Sequence, residues 1–216
     1  MLMSRLLSLL SDIRPVFGIS RLLLSNPKKL YSFMPVTGGY TDPLIFVGVM
    51  SVLGTVFVVA IQFFGLTSLG LGGFRLGLSP FWHTLFYPLL GVGGSFVLAG
   101  FMYGVWRVLG ADKKFEVAYR CVAYTCVILP ILAIGIFIPY VGLAICVVWW
   151  IWLIAHATEI VYGQSKTRIV LLLGCLGVFL LYYSIQGEEI QRKTTDRTME
   201  FNNQMRKLEE MSVDLK

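Results

Sequence analysis

Charged side chains are scarce in this sequence. Only 14% of the 216 residues are Asp, Glu, Lys or Arg, whereas a soluble domain has about 25%. Hydrophobic residues make up 56% of the chain, and the mean hydropathy is +0.76. This composition excludes a water-soluble globular enzyme, a disordered chain and a nucleic-acid-binding module. What remains is an integral membrane protein.

Residues that usually carry catalysis or bind metals are also few. The sequence contains only two histidines and four cysteines. The cysteines lie in apolar runs without Cys-x-x-Cys spacing, and we interpret them as packing residues: Cys121, Cys126, Cys146 and Cys175. The sequence contains no nucleophile elbow, Walker loop, His-Glu-x-x-His or paired carboxylates in an apolar stretch. We therefore expect a protein that is not an enzyme, with no metal site and no cofactor.

The apolar runs are long enough to cross a membrane five times. A hydrocarbon core about 30 Å thick needs about 20 helical residues. The predicted spans are residues 44–65, 81–109, 118–138, a fourth from the turn at 139–142 to about 157, and 169–185. The predicted fold class is therefore all-α, a polytopic membrane helix bundle of five transmembrane helices. Its predicted parts are a cytoplasmic amphipathic N-terminal segment (1–43), the transmembrane domain (44–186) and a charged amphipathic tail helix (187–216).

Both ends of the chain have amphipathic patterns. Leu2, Leu6, Leu9 and Ile13 recur at helical spacing, so residues 1–14 predict a short helix ended by Pro15, lying in the membrane interface or under the bundle. Ser25-Asn26-Pro27 predicts the start of a second short helix. In the tail, an apolar stripe from Phe201 onward predicts a solvated helix that could dock on the bundle, the interface or a partner.

The distribution of basic residues predicts the orientation. Eleven of the 18 basic residues flank the same ends of the predicted spans, whereas the opposite short loops contain only Arg75 and the tail contains six. The rule that short cytoplasmic loops are rich in Lys and Arg places the N-terminus in the cytoplasm and the tail outside. A re-entrant segment in place of one span would reverse the side of the tail.

Small residues recur along the second predicted span. Gly91, Ser95 and Ala99 are spaced by four, as are Gly100 and Gly104. Such spacing lets helix backbones approach closely, so we predict a helix-packing surface, with dimerisation or a substrate path as alternatives. Pro88 and the glycines at 91, 93 and 94 could kink or unwind this span, and a tilted helix is the simpler alternative.

One polar group stands out near the cytoplasmic ends of the third and fourth spans. His156 and Glu159 share a helical face, and the predicted hairpin brings them close to Arg120. We predict a structural clamp in which Glu159 pairs with Arg120, with Tyr119, Tyr124 or His156 nearby. A protonation or ion-path role for His156 and Glu159 is the alternative. A lone His-x-x-Glu without a second ligand pair argues against a metal site.

Several of these residues also form a pattern that resembles a known family. Ala118-Tyr119-Arg120-x-x-Ala123-Tyr124 is followed by Pro130, the Ile138-Pro139 turn, the Trp149-to-Trp152 run and Val161-Tyr162-Gly163-Gln164-Ser165. With Asn26-Pro27 and Asp42-Pro43-Leu44, this pattern resembles the Yip-one domain family of multi-span membrane proteins over roughly residues 22–186.

The resemblance implies a five-span fold with a cytoplasmic N-terminus and no catalytic residue. Eukaryotic members associate with small GTPases in membrane traffic, whereas bacterial members mostly have no assigned role. This sequence lacks a long cytoplasmic N-terminal region and adds a charged tail. Both departures weigh against a small GTPase as partner and favour the bacterial type, in the cytoplasmic (inner) membrane.

The leading functional hypothesis is a non-enzymatic scaffold or subunit of a membrane complex. Its expected partners are the lipid bilayer and other membrane subunits or further copies of the chain, and no nucleic acid. The alternative is a transporter or channel component for a small solute, ion or lipid, since Pro88, the adjacent glycines and Pro130 could break helices inside the membrane. An intramembrane enzyme using His156 and Glu159 is a third hypothesis.

Overall fold

The computed structural model describes residues 15–35, 37–63, 80–135 and 141–214, and across these residues it contains helices and no strand. The helices are α1 (Pro15–Ser25), α2 (Pro27–Phe33), α3 (Thr41–Phe63), α4 (Pro80–Val108), α5 (Phe115–Thr125), α6 (Ile128–Gly135), α7 (Val141–Tyr162) and α8 (Lys166–Asp214). The helix predicted for residues 1–14, the loop at 66–79 and the turn at 139–140 lie outside the described residues.

Five apolar stretches are long enough to cross a membrane, which confirms the predicted all-α bundle. They are Thr41–Ala60, Phe86–Val108, Phe115–Gly135, Val141–Tyr162 and Lys166–Tyr183. Each overlaps a predicted span, with the boundaries shifted by a few residues. Hydropathy identified the spans because a bilayer imposes both length and apolar composition on any helix that crosses it.

The third span is the centre of the bundle and is broken in its middle. It is 67% buried, more than any other span. Helix α5 ends at Thr125 and α6 starts at Ile128, with tight turn bonds from Cys126 N–H to Ala123 O (3.1 Å) and from Val127 N–H to Tyr124 O (3.2 Å). Pro130 has no N–H to donate to the carbonyl four residues earlier, and this favours the break. In contrast, α4 continues without a break through Pro88 and the following glycines.

Two short helices precede the spans. Helix α2 begins as predicted, since Pro27 is its first residue and the Asn26 side-chain oxygen accepts the Lys29 N–H at 3.1 Å. Helix α1 was not predicted, and Pro15 is its first described residue. One face of α1 is buried through Val16, Ser20 and Leu23, which recur at helical spacing.

The remaining helices pack around the third span. Helix α3 packs on α4 and α6, α5 packs on α4, and α2 and α8 both pack chiefly on α7. Helix α8 runs unbroken from Lys166 to Asp214. The charged tail, which was predicted as a separate amphipathic helix, is therefore a continuation of the fifth span.

Candidate functional site

The residues of greatest interest lie at one end of the bundle, where α3, α5 and α8 begin and α4 and α7 end. We call it the Arg120 end. Arg120 lies on α5 and is only 1% exposed. Its Nη1 donates to Pro35 O at 2.9 Å, and Nη2 and Nε donate to Gly39 O at 2.8 and 3.2 Å. The donors of this buried cation are thus satisfied mainly by carbonyl oxygens of the segment that leads into the first span.

The backbone of this segment is shaped to present its carbonyls. Gly38 and Gly39 have φ values of +137° and +77°, a region that favours glycine. A Cβ on Gly38 would lie 2.8 Å from Arg120 Nη2. Glu116 completes the network, because its Oε1 accepts the Gly39 N–H at 2.7 Å and lies 3.5 Å from Arg120 Nη2. The carboxylate, the guanidinium and the turn therefore fix one another.

Aromatic rings hold α5 between its neighbours. The Tyr119 ring stacks on Phe96 of α4 at a centroid distance of 4.2 Å and contacts Tyr40 at 5.6 Å. Tyr124 meets Phe46 of α3 edge-on at 5.3 Å. Tyr124 also interacts electrostatically with Arg120, so this predicted member of the clamp does lie near the guanidinium. These contacts fix the rotation of α5 and keep Arg120 aimed at the turn.

The predicted ion pair between Arg120 and Glu159 is wrong. Glu159 instead pairs with Lys166, with Nζ and Oε2 2.7 Å apart, across the short connection between α7 and α8. Arg120 already has Glu116, one helical turn before it on α5, and two backbone carbonyls as partners. Glu116 and Arg120 are four residues apart on one helix, and Glu159 and Lys166 flank a short connection, so both ion pairs are local in sequence. Only the contact of Arg120 with the backbone carbonyls depends on how α5 is rotated.

His156 contacts residues of its own helix, α7. Its Nδ1 lies 2.8 Å from Trp152 O, and its ring meets the Trp152 ring edge-on at 4.6 Å. Trp149 contacts Trp152 in the same way at 6.3 Å. The shared face predicted for Trp149, Trp152 and His156 is therefore present. His156 and Lys28 both interact electrostatically with Glu159, and α2 packs on α7.

A polar and aromatic contact between α4 and α7 was not predicted from the sequence. Trp106 is 1% exposed, and its Nε1 donates to Thr158 Oγ1 at 2.9 Å. Its ring also stacks on Tyr162 at a centroid distance of 4.3 Å. The available signal was a tryptophan and a threonine near the same predicted membrane surface, but tryptophan is common there without any specific partner.

The small residues of the second span are divided between two surfaces. Ser95 and Ala99 are buried, and a Cβ on Gly91 would collide with the Ser51 side chain of α3. Gly91, Ser95 and Ala99 therefore line the packed side of α4. Gly100 and Gly104 are exposed, and a Cβ on either would meet nothing within 4 Å. Within this chain, three of the five predicted packing residues therefore face a neighbouring helix, and Gly100 and Gly104 do not.

The chemistry of the Arg120 end is that of a fixed, charge-assisted crosslink. Its strongest hydrogen bonds join an ionised group to backbone atoms, which rigidifies a turn. Among the described residues, no group of three or more His, Cys, Asp or Glu side chains could hold a metal ion.

Comparison with known proteins adds one result. A family model for the Yip1 domain matches residues 21–186, a region that runs from α1 into α8 and includes the five apolar spans and the Arg120 network. No curated protein and no solved structure matches the chain.

Proposed function

The chain belongs to the Yip1 domain family, and we propose that it is a non-enzymatic integral membrane protein that acts as a scaffold or as a subunit of a membrane complex. The observation that supports this proposal is helix α8. At about 1.5 Å per residue, its 49 residues extend about 74 Å, more than twice the thickness of a hydrocarbon core. The first part of α8 forms the fifth span of the bundle, and the rest of the helix therefore continues far beyond the bundle.

The projecting part of α8 has little of its own to stabilise it. Every side chain that the structure describes between Glu189 and Gln204 is exposed. Isolated helices are marginal in water, and most helical stability in proteins comes from packing of an apolar stripe. The stripe in the sequence from Phe201 through Met205 and Leu208 is suited to bind another membrane subunit or a second copy of the chain.

Mild-detergent purification from the native membrane tests this proposal. We expect the full chain to elute with a stoichiometric partner or as a homo-oligomer, and the double variant Phe201→Ser with Leu208→Ser to lose that assembly. The control variant, Asn202→Ser with Gln204→Ser, changes polar positions nearby and should keep it. Recovery of a monomer from the wild type, or equal assembly of both variants, would contradict the proposal.

We further infer that the protein lies in the bacterial cytoplasmic membrane with its N-terminus in the cytoplasm. The support for the orientation is the concentration of basic residues near the Arg120 end, including exposed Lys113, Lys114 and Arg168. A small GTPase is the less favoured partner. Reporter fusions to both ends of the chain test the orientation: an active cytoplasmic reporter at the C-terminus would refute it.

The broken third span supports a second candidate, a transporter or channel component. Its turn at Cys126 and Val127, followed by Pro130, lies in the most buried span, and discontinuous helices often line substrate sites. Purified chain reconstituted in liposomes should then carry flux of a small solute, ion or lipid, and a variant that restores the helix, Pro130→Ala, should reduce it. Absence of flux with all tested solutes would contradict the transporter candidate and favour the scaffold proposal.

A role as an intramembrane enzyme is not favoured by the partners of its two candidate residues. His156 is engaged with the Trp152 carbonyl and Glu159 with Lys166. We therefore expect the double variant His156→Ala with Glu159→Ala to retain the cellular phenotype of the wild type. Loss of that phenotype at normal protein abundance would revive the enzymatic hypothesis.

A further inference from the structure

We propose that helices α1 and α2 form a membrane-surface site for the headgroups of anionic phospholipids. The site consists of two matched pairs, each with an exposed phenylalanine one helical turn from an exposed cation. On α1 the pair is Phe17 and Arg21, and on α2 it is Phe33 and Lys29. Residues four apart lie on the same face of a helix.

The opposite faces of both helices are fixed to the protein. Val16 and Leu23 of α1 are buried, as are Pro27 and Tyr31 of α2. Phe17 and Phe33 nevertheless remain 54% and 75% exposed. Because burial on one side determines the rotation of each helix, the phenylalanine and the cation must both point away from the bundle.

Helix α2 packs on α7 near the end of the fourth span, which is the level expected for lipid headgroups. Lys28 of α2 interacts electrostatically with Glu159, which pairs with Lys166 where the fourth span ends and the fifth begins. Only Asn26 separates α1 from α2. A helix at this depth can bury an aromatic ring at the boundary with the acyl chains while its cations reach the phosphates.

Charge complementarity identifies the ligand as anionic. Residues 15–34 contain three basic side chains, Arg21, Lys28 and Lys29, and no acidic one. Of the four carboxylates near the Arg120 end, those of Asp112, Glu116 and Glu159 form ion pairs, and the fourth, Asp42, lies in the first turn of α3. The two exposed rings favour a lipid over a free phosphate ion, because a soluble anion would give them no apolar contact.

Lipid binding to the purified full chain provides the test. The detergent-solubilised protein is titrated with phosphatidylglycerol or with phosphatidylcholine of the same acyl chains, and bound lipids are counted by native mass spectrometry. Each surface cation attracts anionic lipid with about 1 kcal/mol, so removing one weakens retention roughly fivefold. We expect Arg21→Gln with Lys29→Gln to lose phosphatidylglycerol selectivity by more than tenfold, and Phe17→Ala with Phe33→Ala to weaken both lipids.

The matched control removes two exposed cations from the projecting part of α8, through Lys193→Gln with Arg197→Gln, and should leave selectivity unchanged. Arg21→Lys should also retain it. Equal retention by the Arg21/Lys29 variant and the control would overturn the proposal. Complete displacement of the lipid by excess inorganic phosphate, or loss of an acidic protein from the native complex with lipid selectivity intact, would do so as well.

Discussion

Arg120 of the central span holds the carbonyl oxygen of Gly39 with two donors, Nη2 at 2.8 Å and Nε at 3.2 Å. This relationship joins positions 81 residues apart and places the start of the first span against the start of the third. The cation is almost fully buried, yet its partners are chiefly backbone oxygens rather than carboxylates. A guanidinium suits this role because its fork of donors can bind two carbonyls at fixed angles.

Replacement of Arg120 should destabilise the protein strongly. Arg120→Gln removes the donors to Pro35 and Gly39 and leaves Glu116 without its cation. Removing one partner of a buried ion pair typically lowers the free energy of unfolding by about 3 kcal/mol or more. The midpoint of thermal unfolding in detergent should fall markedly, whereas Arg107→Gln, which breaks a solvent-exposed ion pair with Asp112, should change it little. Similar midpoints for both variants would count against the clamp.

The two glycines of the turn should differ in their tolerance of alanine. Gly38→Ala combines an unfavourable φ of +137° with a contact to Arg120, and strain of this kind costs about 1–3 kcal/mol. Gly39→Ala has φ of +77° but open space around its Cβ, so about 1–2 kcal/mol is expected. Denaturant unfolding measures both. Gly18→Ala, on an exposed helical position with open space, is the control that should not destabilise.

The packed and open surfaces of α4 can be separated by alanine substitution. Gly91→Ala should destabilise by about 1–3 kcal/mol through overpacking against Ser51. Adding Ser51→Gly should restore part of the loss, since it removes the atoms that the new Cβ would meet. Gly104→Ala has no such neighbour. If it lowered the unfolding midpoint as much as Gly91→Ala, contact of Gly104 with another chain or a different helix arrangement would be indicated.

Tyr31 should make stability fall at alkaline pH. Its buried hydroxyl has no hydrogen-bond partner among the described residues, and burial raises its pKa well above the usual value of about 10. Above about pH 10 the unfolded chain loses this proton while the folded chain keeps it, so folding becomes less favourable as pH rises.

Tyr31→Phe provides the comparison for that effect. At neutral pH its unfolding midpoint should equal or exceed that of the wild type, because no hydrogen bond is lost. The difference in favour of the variant should then widen as pH rises above about 10, where the unfolded phenol ionises. A variant that is clearly less stable than the wild type at neutral pH would indicate a hydroxyl partner.

The sequence identified features that depend on local chemistry. Asn26 and Pro27 predicted the start of α2 because capping involves only the first helical turn. Helix α1 was missed, since Pro15 suggested an end where the described helix starts. Pro130 and Pro88 show the limit of such rules: the third span breaks just before Pro130, while α4 continues through Pro88, where surrounding helices can support the chain.

The sequence alone therefore determined that the chain forms an apolar helical bundle with five spans, because membrane crossing requires long apolar helices. The family pattern was visible for the same reason, in residues and hydropathy that can be read along the chain. Which groups meet was decided only by the tertiary structure. Rotation of α5 directs Arg120 to the turn at Gly39, and rotation of α4 places Gly91 against Ser51 but exposes Gly104. Apolar composition favours burial in lipid or protein about equally, so it cannot fix the rotation of a helix; close packing and satisfied polar groups do.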